Sequence, residues 1–239
     1  MNAWREFYNS CIHMFFPAMC FHCQAVLPPS HPHLCPLCAS LLEPIDPKGR
    51  CTRCFNLRLN ISHRCKGCRS SPSLFLRQAS VFDYQGPASS LIKQFKYGNK
   101  PYLSKGLGAY LCLQLEALKW PIPDVLVPVP LSLYHHLQRG YNQSSLLAEE
   151  LGRLLGIPVL HALKRTSNDF SQVALSLDQR RALGYVFKLK KKSAVQDKRV
   201  MVIDDVRTTG ATLDKCAAAL CAGYPASIYA LTVCTTLNE

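Results

Sequence analysis

Beyond residue 73 the apolar positions fall into short runs that alternate with helix-spaced faces. Gln78–Tyr84 reads as a strand, and Pro87–Tyr97 as a helix whose Leu91, Ile92 and Phe95 share one face. Leu103–Leu118 reads as a second helix. Asp124–Val129 is a strand, followed by a loop and then a helix over Gln143–Leu155. A short strand near Val159, an irregular basic segment at 164–185, a strand at 200–205, a helix at 210–222 and a strand at 227–233 complete the series. Strands alternating with helices predict an α/β fold, a mostly parallel sheet flanked by helices. Val200 to Ile203 are all apolar, as an inner strand covered on both faces requires.

The first 72 residues follow neither period. Residues 1–19 predict a short helix with an apolar face. The stretch 20–72 is rich in Pro, Cys and His and has no long periodic segment. Of the 13 cysteines in the chain, eight form four Cys-x-x-Cys pairs: Cys20/Cys23, Cys35/Cys38, Cys51/Cys54 and Cys65/Cys68. Two thiolates at this spacing converge on one tetrahedral Zn²⁺, so four pairs predict two structural Zn²⁺ in closed Cys₄ sites. Pairing first with second and third with fourth is the simplest arrangement, and cross-bracing is the other. A redox motif would instead place one pair inside a βαβ frame. The remaining cysteines, Cys11, Cys112, Cys216, Cys221 and Cys234, read as small apolar residues. The expected organisation is an N-terminal helix at 1–19, a small double zinc-ribbon module at 20–72 whose folding energy comes from metal, a hinge at Ser70–Ser73, and an α/β domain at 73–239.

Charge changes the picture regionally. The formal net charge of +13 falls to about +9 once eight thiolates bind two Zn²⁺. Residues 48–105 hold twelve Lys or Arg and one acid, Asp83. Arg50, Arg53, Arg58, Arg64, Lys66, Arg69 and Arg77 lie in and after the second cysteine group, and Lys93, Lys96 and Lys100 surround Phe95 and Tyr97. A second basic run, Lys188 to Lys192, precedes the strand at 200–205. Basic residues interleaved with aromatics suit single-stranded nucleic acid, single-stranded DNA included: charge for phosphates and π-faces for bases. The 48% hydrophobic content fits a packed core, and no window approaches the roughly 18 apolar residues of a membrane span. The apolar patch near Cys11–Phe21 is short and contains His13 and Pro17. It lacks the features of a signal peptide, and a cytoplasmic protein is expected.

The densest chemistry lies at 200–212. Asp204 and Asp205 end the apolar strand, where open α/β sheets place their ligands. Thr208, Thr209, Gly210, Ala211 and Thr212 follow as a small-residue loop opening a helix, a natural phosphate cradle. Two acids beside an anion site suit a sugar phosphate, the carboxylates accepting from ribose hydroxyls while the loop holds the 5′-phosphate. The thirteen residues 200–212 resemble the ribose-phosphate signature of type I phosphoribosyltransferases. That resemblance implies that Asp204 and Asp205 hold the ribose hydroxyls, directly or through Mg²⁺, and that Arg207 to Thr212 wrap the phosphate of phosphoribosyl pyrophosphate.

Other stretches narrow the resemblance. Val127-Pro-Val-Pro130, Arg139-Gly-Tyr-Asn-Gln143, Lys93-x-x-Lys96-Tyr97, Gln172-x-x-Leu175-Ser176, Arg180 and Phe187 resemble the ComF family, as does the order of zinc module and terminal loop. Membership implies a role in natural transformation, handling incoming single-stranded DNA with a competence helicase and a recombination mediator as partners. The alternative is an active phosphoribosyltransferase whose acceptor is unreadable, with Asp204, Asp205 and Arg139 as its catalytic residues. Arg139 offers a bidentate guanidinium for pyrophosphate. Arg180 and Arg181 resemble a lid, or are solvated charges. His135 and His136, placed in a loop, read as surface residues. The chain departs from the family where it has Tyr134-His135-His136 in place of arginines and Leu183 in place of asparagine. Both departures thin the polar groups on the pyrophosphate side.

Overall fold

The computed structural model describes residues 18–27, 33–57, 63–70, 73–166 and 186–236. Most of the expected N-terminal helix, the tip of the hinge at 71–72, Arg58, and the segment carrying Gln172, Leu175, Ser176, Arg180, Arg181 and Leu183 lie outside these residues. Four strands form a parallel sheet: β1 (Arg77–Asp83), β2 (Val125–Pro128), β5 (Arg199–Arg207) and β6 (Ser227–Thr235), in the order β1-β6-β5-β2. This is the mostly parallel α/β arrangement expected from the alternation of elements. Helices α3 (Gly86–Tyr97), α4 (Leu103–Leu118), α6 (Gln143–Leu155) and α7 (Ala211–Cys221) cover it.

Side-chain alternation along β5 explains the two cores. Met201 and Ile203 face a cluster with Ile92, Phe95, Leu111, Leu147 and Leu151 from α3, α4 and α6. Val200 and Val202 face the opposite cluster, with Leu213, Cys216, Ala217 and Leu220 of α7. A period of two thus buries every residue of the run on one side or the other. Helix α4 lies close against α6 because residue 108 is glycine: a Cβ there would stand 2.6 Å from Glu150 Cγ.

Three elements differ from expectation. The strand near Val159 is a single parallel bridge to Leu126. The start of the basic segment is ordered: β3 (Leu163–Thr166) pairs antiparallel with β4 (Val186–Leu189) and packs against α7. Its partner lies some twenty residues away, so no local pattern could announce it. The loop after β2 contains a helix, α5 (Leu133–Arg139). Ser132 caps it by accepting from His135 N, and Gly140, at φ 75°, closes it in the left-handed conformation that glycine tolerates.

The cysteine region is an internal repeat. Cys20 N donates to Ala25 O and Cys51 N to Asn56 O, each at 2.8 Å. The residue after each second cysteine, Gln24 and Phe55, has φ 63°. Short helices α1 (Pro36–Ser40) and α2 (Lys66–Ser70) follow at matching places. Both units lie along edge strand β1. Ile45 N donates to Val81 O and Gln78 N donates to Arg53 O, each at 2.7 Å, so edge groups that would otherwise face water are paired. Arg50 forms a 3.0 Å ion pair with Asp83, and Gln114 Nε2 donates to Ile45 O at 3.0 Å. No helix among the described residues is long and apolar enough to cross a membrane.

Candidate ribose-phosphate pocket and cysteine clusters

A cavity of about 410 Å³ opens at the carboxyl ends of β2 and β5. Strand β5 delivers Asp204 and Asp205, and the loop into α7 delivers Thr208 and Thr212. Gly210, at φ 87°, turns this loop into the helix. Lys96 at the end of α3, His135 and Arg139 on α5, Gln143 at the start of α6 and Arg165 on β3 complete the lining.

The acids are held differently. Asp205 is buried and pairs with Lys96 Nζ at 2.8 Å. Asp204 accepts from Ser144 Oγ at 2.7 Å and from Asp205 N at 3.0 Å. Burial, reinforced by the neighbouring Asp205 charge, pushes the Asp204 carboxyl up to about 7 despite the Ser144 bond and Lys96. Burial disfavours the Lys96 ammonium, but the attraction and hydrogen bond of Asp205, with Asp204 behind it, outweigh this and raise its pKa. Two carboxylates sharing one buried site favour cations and hydroxyl donors beside them, of which Lys96 and Ser144 are the first. Carboxylate oxygens are also the hard ligands that Mg²⁺ takes.

Arg139 lies over the Tyr97 ring at 5.0 Å, donates to Gln143 Oε1 at 3.2 Å, and keeps its Nε buried without a partner. His135 Nδ1 is 2.7 Å from Ser132 Oγ. Burial, then the charges of Arg139, Arg165 and Lys96, lower the pKa of His135. Its helical setting corrects the reading of His135 and His136 as loop surface residues: His135 lines the cavity and His136 faces solvent. Consecutive helical positions point about 100° apart, which a loop assignment hides. Nothing local in the sequence marks Arg165 either, because only the pairing of β3 with β4 brings it to the cavity.

The predicted binding residues therefore divide. Asp204, Asp205, Arg139, Thr208 and Thr212 line the cavity. Thr209 on the loop and Ala211 at the start of α7 are exposed. Arg207 points elsewhere: its guanidinium donates to Cys54 O and Asn56 Oδ1, and its Nε to Thr235 Oγ1 at 3.3 Å. This corrects its expected phosphate role, since a side chain held by two acceptors of the cysteine region cannot also wrap a ligand in the cavity.

The cysteines gather as Cys20, Cys23, Cys35, Cys38 and as Cys51, Cys54, Cys65, Cys68, with the sulfurs of each group within 4.8 Å of one another. The sequential pairing is the one adopted. Four thiolates at about 2.3 Å from Zn²⁺ would lie roughly 3.8 Å apart, so both groups fit a tetrahedral ion. Cys35 N donates to Cys20 Sγ at 3.4 Å and Cys65 N to Cys51 Sγ at 3.3 Å. Burial works against the Cys20 and Cys51 thiolates, yet these and other backbone donors hold each thiol down at about 6.

The basic region is only partly a surface. Arg50 is buried in its ion pair, and Arg53 donates to Cys68 O and Ser73 O at 3.4 and 2.9 Å. Arg64, Lys66, Arg69, Arg77 and Lys93 are exposed.

The chain is 32% identical over 208 residues to Competence protein F of Haemophilus influenzae, covering 84% of this chain and 90% of that protein. It is 32% identical over 228 residues to DNA utilization protein YhgH of Escherichia coli K12, covering 92% and 98%. It is 32% identical over 199 residues to Competence protein ComFC of Bacillus subtilis, covering 82% and 74%. Among solved structures it is similar to the glutamine phosphoribosylpyrophosphate amidotransferase of B. subtilis, with TM-score 0.42, 18% identity and coverage of 59% of this chain and 30% of that one. A purine phosphoribosyltransferase of Pyrococcus horikoshii matches with TM-score 0.38, 19% identity and coverage of 56% and 73%. No protein-family profile matches the chain.

Proposed function

Because the chain belongs to the ComF family, we propose that it handles single-stranded DNA in natural transformation and carries a pocket for phosphoribosyl pyrophosphate. One observation carries the ligand reading: two carboxylates and a hydroxyl-bearing loop line one cavity together with Lys96, His135, Arg139 and Arg165. Asp204 and Asp205 accept from the ribose hydroxyls, and the loop ending in Thr212 takes the 5′-phosphate with its backbone N–H groups. Arg139 and Arg165 neutralise the pyrophosphate while Lys96 stays with Asp205, and neutral His135 donates or accepts beside it. Bound Mg²⁺, held through the Asp204 and Asp205 carboxylates, would supply further charge neutralisation to that group.

The DNA reading rests on the relatives and on the exposed cations Arg64, Lys66, Arg69 and Arg77 at the second cysteine cluster. A cytoplasmic setting, a competence helicase and a recombination mediator belong to the same proposal. The cationic wall also favours a second reading, turnover of phosphoribosyl pyrophosphate. There, ribose carbocation character would develop between Asp204, Asp205 and the departing pyrophosphate.

The test is fluorescence anisotropy with short single-stranded DNA across a salt series. A log–log slope of several units is expected, since several phosphates are contacted. Replacing Arg64, Lys66 and Arg69 by Glu should weaken DNA binding at least tenfold and leave phosphoribosyl pyrophosphate binding unchanged. Affinity that ignores salt would overturn the DNA reading.

A further inference from the structure

The diversion of Arg207 into the cysteine region has a consequence for the pocket. Arg207 is the last residue of β5, between Asp205 and Thr208, both of which line the cavity. Its backbone carbonyl accepts from Thr236 N at 3.0 Å. Its side chain is 7% exposed and lies against the knuckle that presents Cys54 to the second cluster. The acceptors there are the carbonyl of a cysteine ligand itself and the side chain of Asn56, two residues further on. Asn56 also closes the knuckle, its carbonyl accepting from Cys51 N. The first cluster is docked differently, through His22 on Ser90 and a ring stack of Phe21, His33 and Tyr102.

We propose that Arg207 is a positioning residue that ties the Thr208–Thr212 loop to the metal-bound state of the second cysteine cluster. Ribose-phosphate binding and Zn²⁺ retention at that cluster then reinforce each other. The physical reason is the cost of a buried guanidinium. It needs its acceptors, and the Cys54 carbonyl and Asn56 amide stand in place only while the metal holds the knuckle closed. Loss of the ion removes those acceptors, Arg207 must move toward water, and the two residues on either side of it move with it. Linkage is reciprocal: a ligand that holds the loop must tighten Zn²⁺ binding at that cluster by the same equilibrium factor that metal contributes to ligand affinity. Zinc in the first cluster lies outside this link. The ligand half of the inference rests on the pocket reading above.

The test uses the zinc-loaded full chain and Asn56→Ala, which keeps all eight cysteine ligands and the Asn56 backbone. Hydrogen exchange of amides 206–212 is compared between the two, and each is titrated with phosphoribosyl pyrophosphate. Zinc release to a chelator is followed with and without that ligand. Asn56→Ala should exchange its loop amides about tenfold faster and bind ligand about tenfold more weakly. Asn56→Asp, which retains an acceptor for Arg207, should restore both. In the parent chain the ligand should slow release of one Zn²⁺ several-fold and leave the other unchanged. Unchanged loop exchange in Asn56→Ala overturns the coupling even if the ligand does not bind. Absence of ligand binding to the parent overturns the pocket reading, and the exchange comparison still decides the link.

Discussion

Replacing Asp204 by Asn should stabilise the protein at alkaline pH while damaging its site. Asp204 and Asp205 are both confined to the pocket, and one cation, Lys96 at 2.8 Å from Asp205, answers them directly. Raising the Asp204 carboxyl from near 4 to about 7 means that its ionisation opposes folding. The unfolded chain has lost this proton by about pH 5, whereas the folded chain keeps it until about pH 7. Stability therefore falls as pH rises through that window. The full difference corresponds to about 4 kcal/mol. Because Lys96 and the Ser144 bond already offset part of the cost of the Asp204 charge, a gain of about 2–3 kcal/mol is expected for the variant at pH 8. The Asn side-chain oxygen still accepts from Ser144 Oγ, so the 2.7 Å contact survives. Urea unfolding with Zn²⁺ held constant and no ligand present measures the effect. The gain should be about 1 kcal/mol or less at pH 4.5 and reach its full size at pH 8. Equal or lower stability of Asp204→Asn at pH 8 would refute the reasoning.

Other expectations can be checked with the same protein. Metal analysis should give two Zn²⁺ per chain, and one or none would contradict the fit of the two sulfur clusters. Affinity for Zn²⁺ should fall as pH drops from about 11, because burial raises thiols such as Cys38 and Cys54, and fall more steeply below about 6, where Cys20 and Cys51 also take up protons. Arg50→Ala should cost about 3 kcal/mol, because it strands a largely buried Asp83 whose Oδ1 already lacks a partner. A loss under 1 kcal/mol in urea unfolding would show that water reaches that carboxylate.

What was legible in the chain was what is local. Helices Leu103–Leu118 and Gln143–Leu155 are found where periodicity placed them. The Cys-x-x-Cys knuckles were readable because ligand spacing is a short-range property. The acids and small residues of 204–212 were readable because strand, turn and helix start follow one another there. What escaped depends on distant partners. Strands β3 and β4 exist through each other, and α5 was hidden in seven residues between a serine cap and a glycine. Arg165 and His135 reach the cavity only because those elements form. Arg207, Arg50 and Arg53 look like ligand or nucleic-acid contacts in sequence, but the structure spends Arg207 and Arg50 in joining the cysteine region to the sheet and Arg53 in bonding Cys68 O and Ser73 O. A basic residue does not show in sequence whether a carbonyl, a carboxylate or a phosphate will meet it.

The central claim, that the cavity at the ends of β2 and β5 is a ribose-phosphate site built on Asp204 and Asp205, is tested most directly by calorimetric titration. Phosphoribosyl pyrophosphate would be titrated, with and without Mg²⁺, into the zinc-loaded chain and into the Asp204→Asn, Asp205→Asn double variant. The account predicts one site per chain, tighter with Mg²⁺, and lost in the double variant while the fold and both Zn²⁺ are retained. Binding that is absent from the parent, or equal in the double variant, would contradict it.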